Sequence, residues 1–337
     1  MKITAGIADP DQLLLYASAG IDEVFCGYVP ESWISRFGRN VPLNRREVSY
    51  CPVQIGGRNE LRILRAMSDD LGIPVSLTFN SPFYTPEALP EVVNVMEQCL
   101  EEGFDTFIVA DPALMNLLKE KGLLPCLHLQ ISGEAGEINR EAMEFWRGFQ
   151  PSRIIFHRKT GLENIRKLIV SDRTAHPDIP LEYEAFAMNE NCHFNGAFCS
   201  GLHCDEFAHL CHLPWKILPV SGGTSVPAVT SPDPLSACEA DVAGHSGCGI
   251  CAIPALCLSG IGVLKVVGRG AGTEEMCRDI HALRTAVGLV ESGAVSPDAF
   301  REACFPEGCS HNCYYTSTSE VNDKDKPLKP SSPGHRS

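Results

Sequence analysis

The chain has 337 residues, 44% of them hydrophobic, so it can bury a sizeable core in one large α/β domain or two ordinary ones. Its 28 basic and 42 acidic residues give a formal net charge of −14, which repels phosphate and argues against duplex nucleic acid as a partner. The N-terminus lacks the layout of a signal peptide, and no apolar run approaches the roughly 20 residues that cross a bilayer. We therefore expect a cytoplasmic protein without a membrane partner.

Short apolar runs alternate with amphipathic stretches along most of the chain. Runs of this kind, punctuated by Gly, Pro and Asp, are typical of buried parallel strands. Eight of them separated by helices predict a (β/α)8 barrel. A doubly wound open sheet is the alternative, although no Gly-x-Gly-x-x-Gly follows the first strand. The predicted strands are Lys2–Ile7, Glu23–Tyr28, Val75–Asn80, Thr106–Asp111, Leu127–Ile131, Arg153–Arg158, Leu181–Phe186 and Val263–Val267.

Helices are predicted where apolar residues recur at helical spacing and where Pro or Gly marks an end. In the second helix, Ile63, Leu64, Met67 and Leu71 are spaced so that this side could face a sheet. The predicted helices are Asp11–Gly20, Asn59–Leu71, Pro90–Gly103, Pro112–Gly122, Glu137–Gly148, Gly161–Val170, Pro254–Gly260 and Thr273–Gly293.

The domain prediction is a single TIM-like barrel with additions. The barrel covers residues 1–295 and includes a cysteine-rich insertion, 187–252, after its seventh strand. That insertion is much longer than an ordinary loop and begins where barrels carry their chemistry, at the C-terminal end of a strand. A cysteine-containing segment at 296–316 follows, and the polar tail at 317–337 is predicted to be disordered.

Sixteen cysteines are unusual in a chain expected to stay in a reducing compartment, where disulfide frameworks are rare. Metal ligation is therefore the leading explanation for the clustered ones. Irregular spacing and soft thiolate ligands favour an iron–sulfur cluster over a structural zinc site, which remains the alternative. The third cluster could hold a second metal or complete the first. The three clusters are Cys192, Cys199, Cys204 and Cys211; Cys248 and Cys251; and Cys304, Cys309 and Cys313.

Five other cysteines lie in or beside predicted strands and helices. A free cysteine in such a place usually behaves as a small buried hydrophobe, and we predict that role for all five. They are Cys26, Cys99, Cys126, Cys257 and Cys277.

Three polar residues are candidates for substrate binding. Gln130 and Arg158 stand at the ends of the fifth and sixth predicted strands, where a barrel places its functional side chains. Arg269 lies in the glycine-rich run 268–272, just before a predicted helix whose free amides could bind an anion. A plain turn explains that run equally well.

Protease motifs are absent from the sequence. There is no His-Glu-x-x-His, and the run 244–248 departs from Gly-x-Ser-x-Gly because its last residue is Cys248.

Several stretches, taken in order, resemble one known family. Residues 19–27 (AGIDEVFCG) resemble its second strand, "NGADAVYIG", and residues 107–115 (FIVADPALM) resemble "LILADLAML". His128-Leu-Gln130 resembles "VSVQAS", residues 181–186 (LEYEAF) precede the first cysteine as "LEVFAFGSLC" does, and residues 265–269 (KVVGR) resemble "KIEGR". The family is peptidase U-32, the collagenase-like peptidases, and the resemblance extends over about residues 1–290.

The resemblance implies a TIM-like barrel that carries a 4Fe–4S cluster on four cysteines. Two family cysteines lie seven residues apart, as Cys192 and Cys199 do, and a third matches Cys211. The fourth precedes the last strand, where Cys251 is the choice, Cys248 an alternate and Cys238 a further candidate. Cys204 is a second alternate, for the third position.

Characterised members of the family act in oxygen-independent hydroxylation of a ubiquinone precursor, a tRNA wobble uridine or a ribosomal RNA cytidine, with prephenate implied as the oxygen source. We therefore expect an iron–sulfur enzyme that hydroxylates or otherwise modifies a small molecule or a nucleoside. Arg158 and Arg269 could bind a carboxylate donor through bidentate contacts. The alternatives are a peptidase, as the family name suggests, and a non-catalytic iron–sulfur partner subunit. In each case the chain could form a homo- or hetero-oligomer.

Overall fold

A closed parallel barrel forms the centre of the molecule. The computed structural model describes residues 1–38, 41–45, 53–135, 139–189, 247–309 and 312–315. In these ranges eight parallel strands pair in sequence order, and the strand at 263–266 closes the ring by pairing with both the first and the seventh. The predicted (β/α)8 barrel is confirmed. Its strands are β1 Lys2–Gly6, β2 Glu23–Gly27, β3 Val75–Phe79, β4 Thr106–Val109, β5 His128–Ile131, β6 Arg153–Ile155, β7 Glu182–Met188 and β9 Val263–Val266.

Two further strands of two residues each extend the sheet beyond β7. These are β8, Gly247–Cys248, and β10, Asn312–Cys313. β8 runs antiparallel to β7 with Cys248 opposite Met188, and β10 runs parallel to β8. Neither strand was predicted from the sequence, because two residues are too few to show a periodicity.

Helices connect the strands and cover the outside of the barrel. Two of them, at 31–37 and 297–304, were not predicted. The helices are α1 Asp11–Ala19, α2 Glu31–Phe37, α3 Arg58–Leu71, α4 Leu89–Glu101, α5 Pro112–Glu120, α6 Arg140–Arg147, α7 Leu162–Ala175, α8 Ile253–Ser259, α9 Thr273–Glu291 and α10 Pro297–Cys304. Among the described residues, none of these helices is long and apolar enough to cross a membrane.

The buried side of α3 differs from the prediction. Leu61, Leu64 and Ser68 are the buried residues, whereas Ile63 is 53% exposed and Leu71 is 38% exposed. At about 100° per residue, Ile63 lies about 200° around the helix from Leu61, so the two cannot share one face. The prediction that this side of the helix faces the sheet was therefore wrong at Ile63 and at the C-terminal Leu71.

The barrel interior is filled in layers. At the N-terminal end, the guanidinium of Arg153 lies 2.7 Å from a carboxylate oxygen of Glu23 and 2.8 Å from one of Glu184, and Lys265 donates to Glu184 at 2.7 Å. Glu184 is fully buried, so these charges compensate one another away from water. Above them, towards the C-terminal end of the strands, is an apolar layer, and that C-terminal end is called the mouth of the barrel here. The layer consists of Phe25, Ile108, Ile155 and Phe186.

Candidate active site at the barrel mouth

Arg269 is fixed over the mouth by neutral oxygens. It follows β9, and its side chain is almost fully buried. One terminal nitrogen donates to Gln54 Oε1 and to Thr78 Oγ1, both at 3.1 Å, and the other donates to Asn44 Oδ1 at 3.2 Å. A guanidinium remains protonated in proteins, so these bonds orient a buried positive charge at the end of the barrel where function is expected.

Two glycines provide the space for this arginine. A Cβ atom at Gly6 would lie 2.6 Å from Arg269 Cγ. A Cβ atom at Gly27 would lie 1.7 Å from Gln54 Oε1 and 2.6 Å from Arg269 Nη1. Any side chain at these strand ends would therefore displace the arginine or its partner.

Arg158 places a second guanidinium at the mouth. Its central carbon lies 4.5 Å from the ring centroid of Phe186, which belongs to the apolar layer of the interior. Its Nη2 atom is 3.8 Å from Glu134, and Arg45 Nε approaches the same carboxylate at 3.5 Å. Stacking on an aromatic ring and pairing with a carboxylate suit the flat guanidinium, and together they hold Arg158 above the interior.

Gln130 and His157 present buried polar atoms at the same end. Among the described residues, neither Gln130 Oε1 nor His157 Nε2 has a hydrogen-bond partner, although both side chains are at least 95% buried. The backbone N–H of Lys159 donates to His157 Nδ1 at 3.2 Å, which assigns the ring proton to Nε2. Burial, with Arg158 adding to it, lowers the pKa of His157 to about 4. The mouth therefore offers a buried acceptor and a buried donor, and both are available to a ligand.

The three predicted binding residues thus lie at the C-terminal ends of their strands. Binding by Gln130, Arg158 and Arg269 stays a prediction. His157 was missed, although its place beside Arg158 at the end of β6 was a usable signal. Asn44 and Gln54 were also missed, because they lie between α2 and α3, where no periodicity of the sequence points inward.

The predicted metal ligands divide into two groups. The residues of the first cluster lie outside the described residues: Cys192, Cys199, Cys204 and Cys211. Cys248 and Cys251 are described and lie at the C-terminal end of β7, since Cys248 pairs with Met188 and Gly249 donates to Ala187 at 2.7 Å. Thiol donors are therefore present on the same face as the arginines. Within the described ranges, no group of three or more ligating side chains that could hold a metal is already assembled.

The five isolated cysteines do not all behave as predicted. Cys26 and Cys99 are buried, and burial raises the pKa of Cys26 to about 12. Cys277 is partly buried. Cys126 and Cys257 are exposed, so their prediction as buried hydrophobes was wrong. Cys126 ends a short 3-10 turn before β5, and Cys257 lies on the outer side of α8, positions that a local apolar pattern does not distinguish from the core.

Three known proteins are similar to parts of this chain. The tRNA hydroxylation protein P of Escherichia coli (strain K12) is 28% identical over 94 residues, which cover 28% of this chain and 19% of that protein. The solved structure of the U32 peptidase Mk0906 shares 12% identity over 59% of this chain and 73% of its own, with a TM-score of 0.41. Phosphoribosyl anthranilate isomerase from Thermus thermophilus shares 10% identity over 85% of this chain and 100% of its own, with a TM-score of 0.42.

The family model of peptidase family U32 matches residues 9–323, most of the chain. The chain belongs to peptidase family U32.

Proposed function

We propose that this U32 family member is an iron–sulfur enzyme that hydroxylates a small molecule or a nucleoside without molecular oxygen. The oxygen donor would be a carboxylate bound at the barrel mouth, with prephenate as the donor that the family resemblance implies. The observation that carries the proposal is the pair of buried guanidinium groups, of Arg158 and Arg269, held at the C-terminal end of the barrel.

The chemistry of the two arginines favours a carboxylate ligand. A guanidinium presents two parallel N–H groups that match the two oxygens of a carboxylate. Neutral oxygens orient Arg269, and the Phe186 ring supports Arg158, so both groups are positioned before a ligand arrives. Such preorganisation reduces the entropic cost of binding. The buried Nε2–H of His157 and Oε1 of Gln130 would then orient the neutral polar groups of the same ligand.

The cluster would be held by Cys192, Cys199, Cys211 and Cys251, with Cys204 and Cys248 as alternates. Sulfur is the donor that iron–sulfur clusters require, and the two described candidates lie beside the end of β7. When bound, a 4Fe–4S cluster supplies one-electron chemistry, which side chains alone cannot provide. The residues of the barrel mouth would bind and orient the reactants.

The binding part of the proposal is tested by titrating prephenate into anaerobically purified protein in a calorimeter. We expect Arg269→Lys to weaken binding by about 10- to 100-fold, because an ammonium cannot reproduce the paired N–H geometry. Arg158→Lys should act in the same direction. Arg284→Lys is the matched control, because Arg284 bonds to Gly20 and Asp22 at the other end of the barrel. Equal affinity in all four proteins would reject the role assigned to the mouth arginines.

The reaction class is tested by mass spectrometry of cells with and without the protein. Hydrolysed RNA nucleosides and extracted small molecules should include one species that carries an additional oxygen atom only when the protein is present. That species should disappear with the Cys192→Ser, Cys199→Ser double variant. Persistence of the product in that variant would leave the cluster without a catalytic role and would favour a partner subunit that serves structure alone.

A further inference from the structure

We infer that Tyr315 is a positioning residue for the anion site at the barrel mouth. It lies at the end of the described C-terminal segment, residues 312–315. It would act on Phe186, the residue whose ring supports Arg158, and it would not touch the ligand itself. This role rests on the proposed function, because that proposal assigns carboxylate binding to Arg158.

The end of β7 is held less regularly by its neighbouring strands than the rest of β7. β6 ends at Ile155, which pairs with Glu184, two residues before Phe186. On the other side, the pairing of β7 with β9 shifts between Phe186 and Met188, as in a β-bulge. Bulges are common beside functional sites, where they redirect a side chain and interrupt the regular hydrogen bonds. The barrel strands alone therefore leave the backbone at Phe186 weakly fixed.

Tyr315 binds this part of the backbone from the C-terminal segment. Its Oη atom donates to the carbonyl oxygen of Phe186 at 3.0 Å, and both residues are at least 95% buried. A buried carbonyl that loses its donor has no water to replace it, so the bond is costly to remove. The carbonyl of the next residue, Ala187, accepts from the backbone N–H of Gly249 at 2.7 Å. Two consecutive carbonyls of β7 are thus bound by groups outside the barrel strands.

The position of Tyr315 is fixed by backbone pairing and by packing. β10 pairs with β8, and the backbone N–H of Tyr314 donates to the carbonyl of Cys248 at 3.0 Å. The Tyr315 ring lies against Gly249, where a Cβ atom would be 3.0 Å from the ring. A side chain at position 249 would therefore press against the ring. These contacts give the Tyr315 hydroxyl a defined direction towards β7.

Phe186 connects the end of β7 to Arg158. The central carbon of the Arg158 guanidinium lies 4.5 Å from the centroid of the Phe186 ring. The ring is confined on another side by Gly133, where a Cβ atom would lie 3.2 Å from Phe186 Cε2. In such close packing, a shift of the backbone at Phe186 moves the surface on which the guanidinium rests. Loss of the Tyr315 hydroxyl should therefore loosen Arg158 without removing any group that contacts the ligand.

The first test is titration of prephenate into the anaerobically purified full chain in a calorimeter. Tyr315→Phe keeps the ring and removes only the hydroxyl, and it should weaken binding by about 3- to 10-fold, the effect of one lost hydrogen bond. Tyr183→Phe is the matched control, because it removes another buried tyrosine hydroxyl, one that donates to Asp172 of α7. Its affinity should equal that of the wild-type protein. Unchanged affinity in Tyr315→Phe would overturn the inference, since a hydroxyl that serves stability alone leaves binding by the folded protein unaltered.

The effect of Tyr315→Phe should also depend on Arg158. In a protein that already carries Arg158→Lys, the added substitution should cost less than about 2-fold in affinity, because the group that Tyr315 positions is gone. In a protein that carries Arg269→Lys, the loss of about 3- to 10-fold should persist, since oxygens elsewhere at the mouth orient Arg269. Equal losses in the two backgrounds would overturn the inference, because Tyr315 would then act on the fold as a whole.

A measurement without ligand separates this inference from the proposed function. Phenylglyoxal modifies arginine side chains when local opening exposes them, and mass spectrometry of peptides locates the modified residues. Arg158 should be modified several-fold faster in Tyr315→Phe than in the wild-type protein or in Tyr183→Phe, whereas Arg269 should react equally in all three.

Equal modification of Arg158 in the three proteins would overturn the inference whether or not prephenate binds. If the wild-type protein does not bind prephenate but Arg158 reacts faster in Tyr315→Phe, the proposed oxygen donor is rejected and the positioning of Arg158 by Tyr315 is supported.

Discussion

Replacing His157 with glutamine should remove a large part of the pH dependence of stability. The His157 side chain is 2% exposed, and burial lowers its pKa to about 4, from about 6.5 in an unfolded chain. At a pH between these two pKa values, the unfolded chain binds a proton at His157 and the folded protein does not. The contribution of His157 to stability is therefore fully present above pH 6.5 and is lost as the pH falls towards 4.

The magnitude follows from the two pKa values. Between pH 7.5 and pH 5, a group with pKa of about 4 when folded and 6.5 when unfolded costs the folded state about 2 kcal/mol. The wild-type protein should lose that much more unfolding free energy over this interval than His157→Gln, because glutamine does not titrate. All other ionisable groups are shared by the two proteins, so their contributions cancel in the difference.

The assay is urea denaturation of both proteins at pH 7.5, 6.5, 5.8 and 5.0. His281→Gln, which removes a histidine from an exposed position of α9, is the matched control for the loss of an imidazole. If the unfolding free energies of the wild-type protein and His157→Gln change in parallel with pH, the reasoning is refuted. His157 would then be solvated or charged in the folded protein.

Two further substitutions test the interior and the mouth of the barrel. Arg153→Met should destabilise the protein by about 3–5 kcal/mol, because it removes the guanidinium that the buried carboxylates of Glu23 and Glu184 share. Arg62→Met on the surface should cost less than about 1 kcal/mol in the same urea titration. An equal loss of unfolding free energy in the two arginine variants would contradict the buried ion network. Gly27→Ala should lower the melting temperature and weaken prephenate binding, because its Cβ atom would displace the groups that hold Arg269. Gly56→Ala is the matched control, because its added methyl group meets open space and should leave prephenate binding unchanged. Normal binding by Gly27→Ala would show that this packing is not required.

The order of the barrel elements could be predicted from the sequence, because each buried strand is a short apolar run between breakers. The ends of the strands were less certain. The run 153–158 was predicted as one strand, but the strand ends at Ile155, and His157 and Arg158 form the turn that places them at the mouth. β8 could not be predicted, because its pairing depends on a partner strand 65 residues away.

The candidate site shows the same division between local and long-range information. Gln130, Arg158 and Arg269 were found because each follows an apolar run, and parallel strands bring such positions to one end of a barrel. Asn44 lies between α2 and α3, outside the helices and strands that the structure describes, and only the folded chain brings it to Arg269. The pairing of Cys248 with Cys313 likewise could not be predicted, because the two residues belong to separate cysteine clusters in the sequence.

We propose above that this chain holds an iron–sulfur cluster at the mouth of its barrel. The most direct test is the visible absorption of anaerobically purified protein, measured together with its iron and acid-labile sulfide. We expect a brown protein with four iron and four sulfide per chain, and loss of both the colour and the iron in the Cys192→Ser, Cys199→Ser variant. A colourless wild-type protein that contains no iron after anaerobic reconstitution would contradict it.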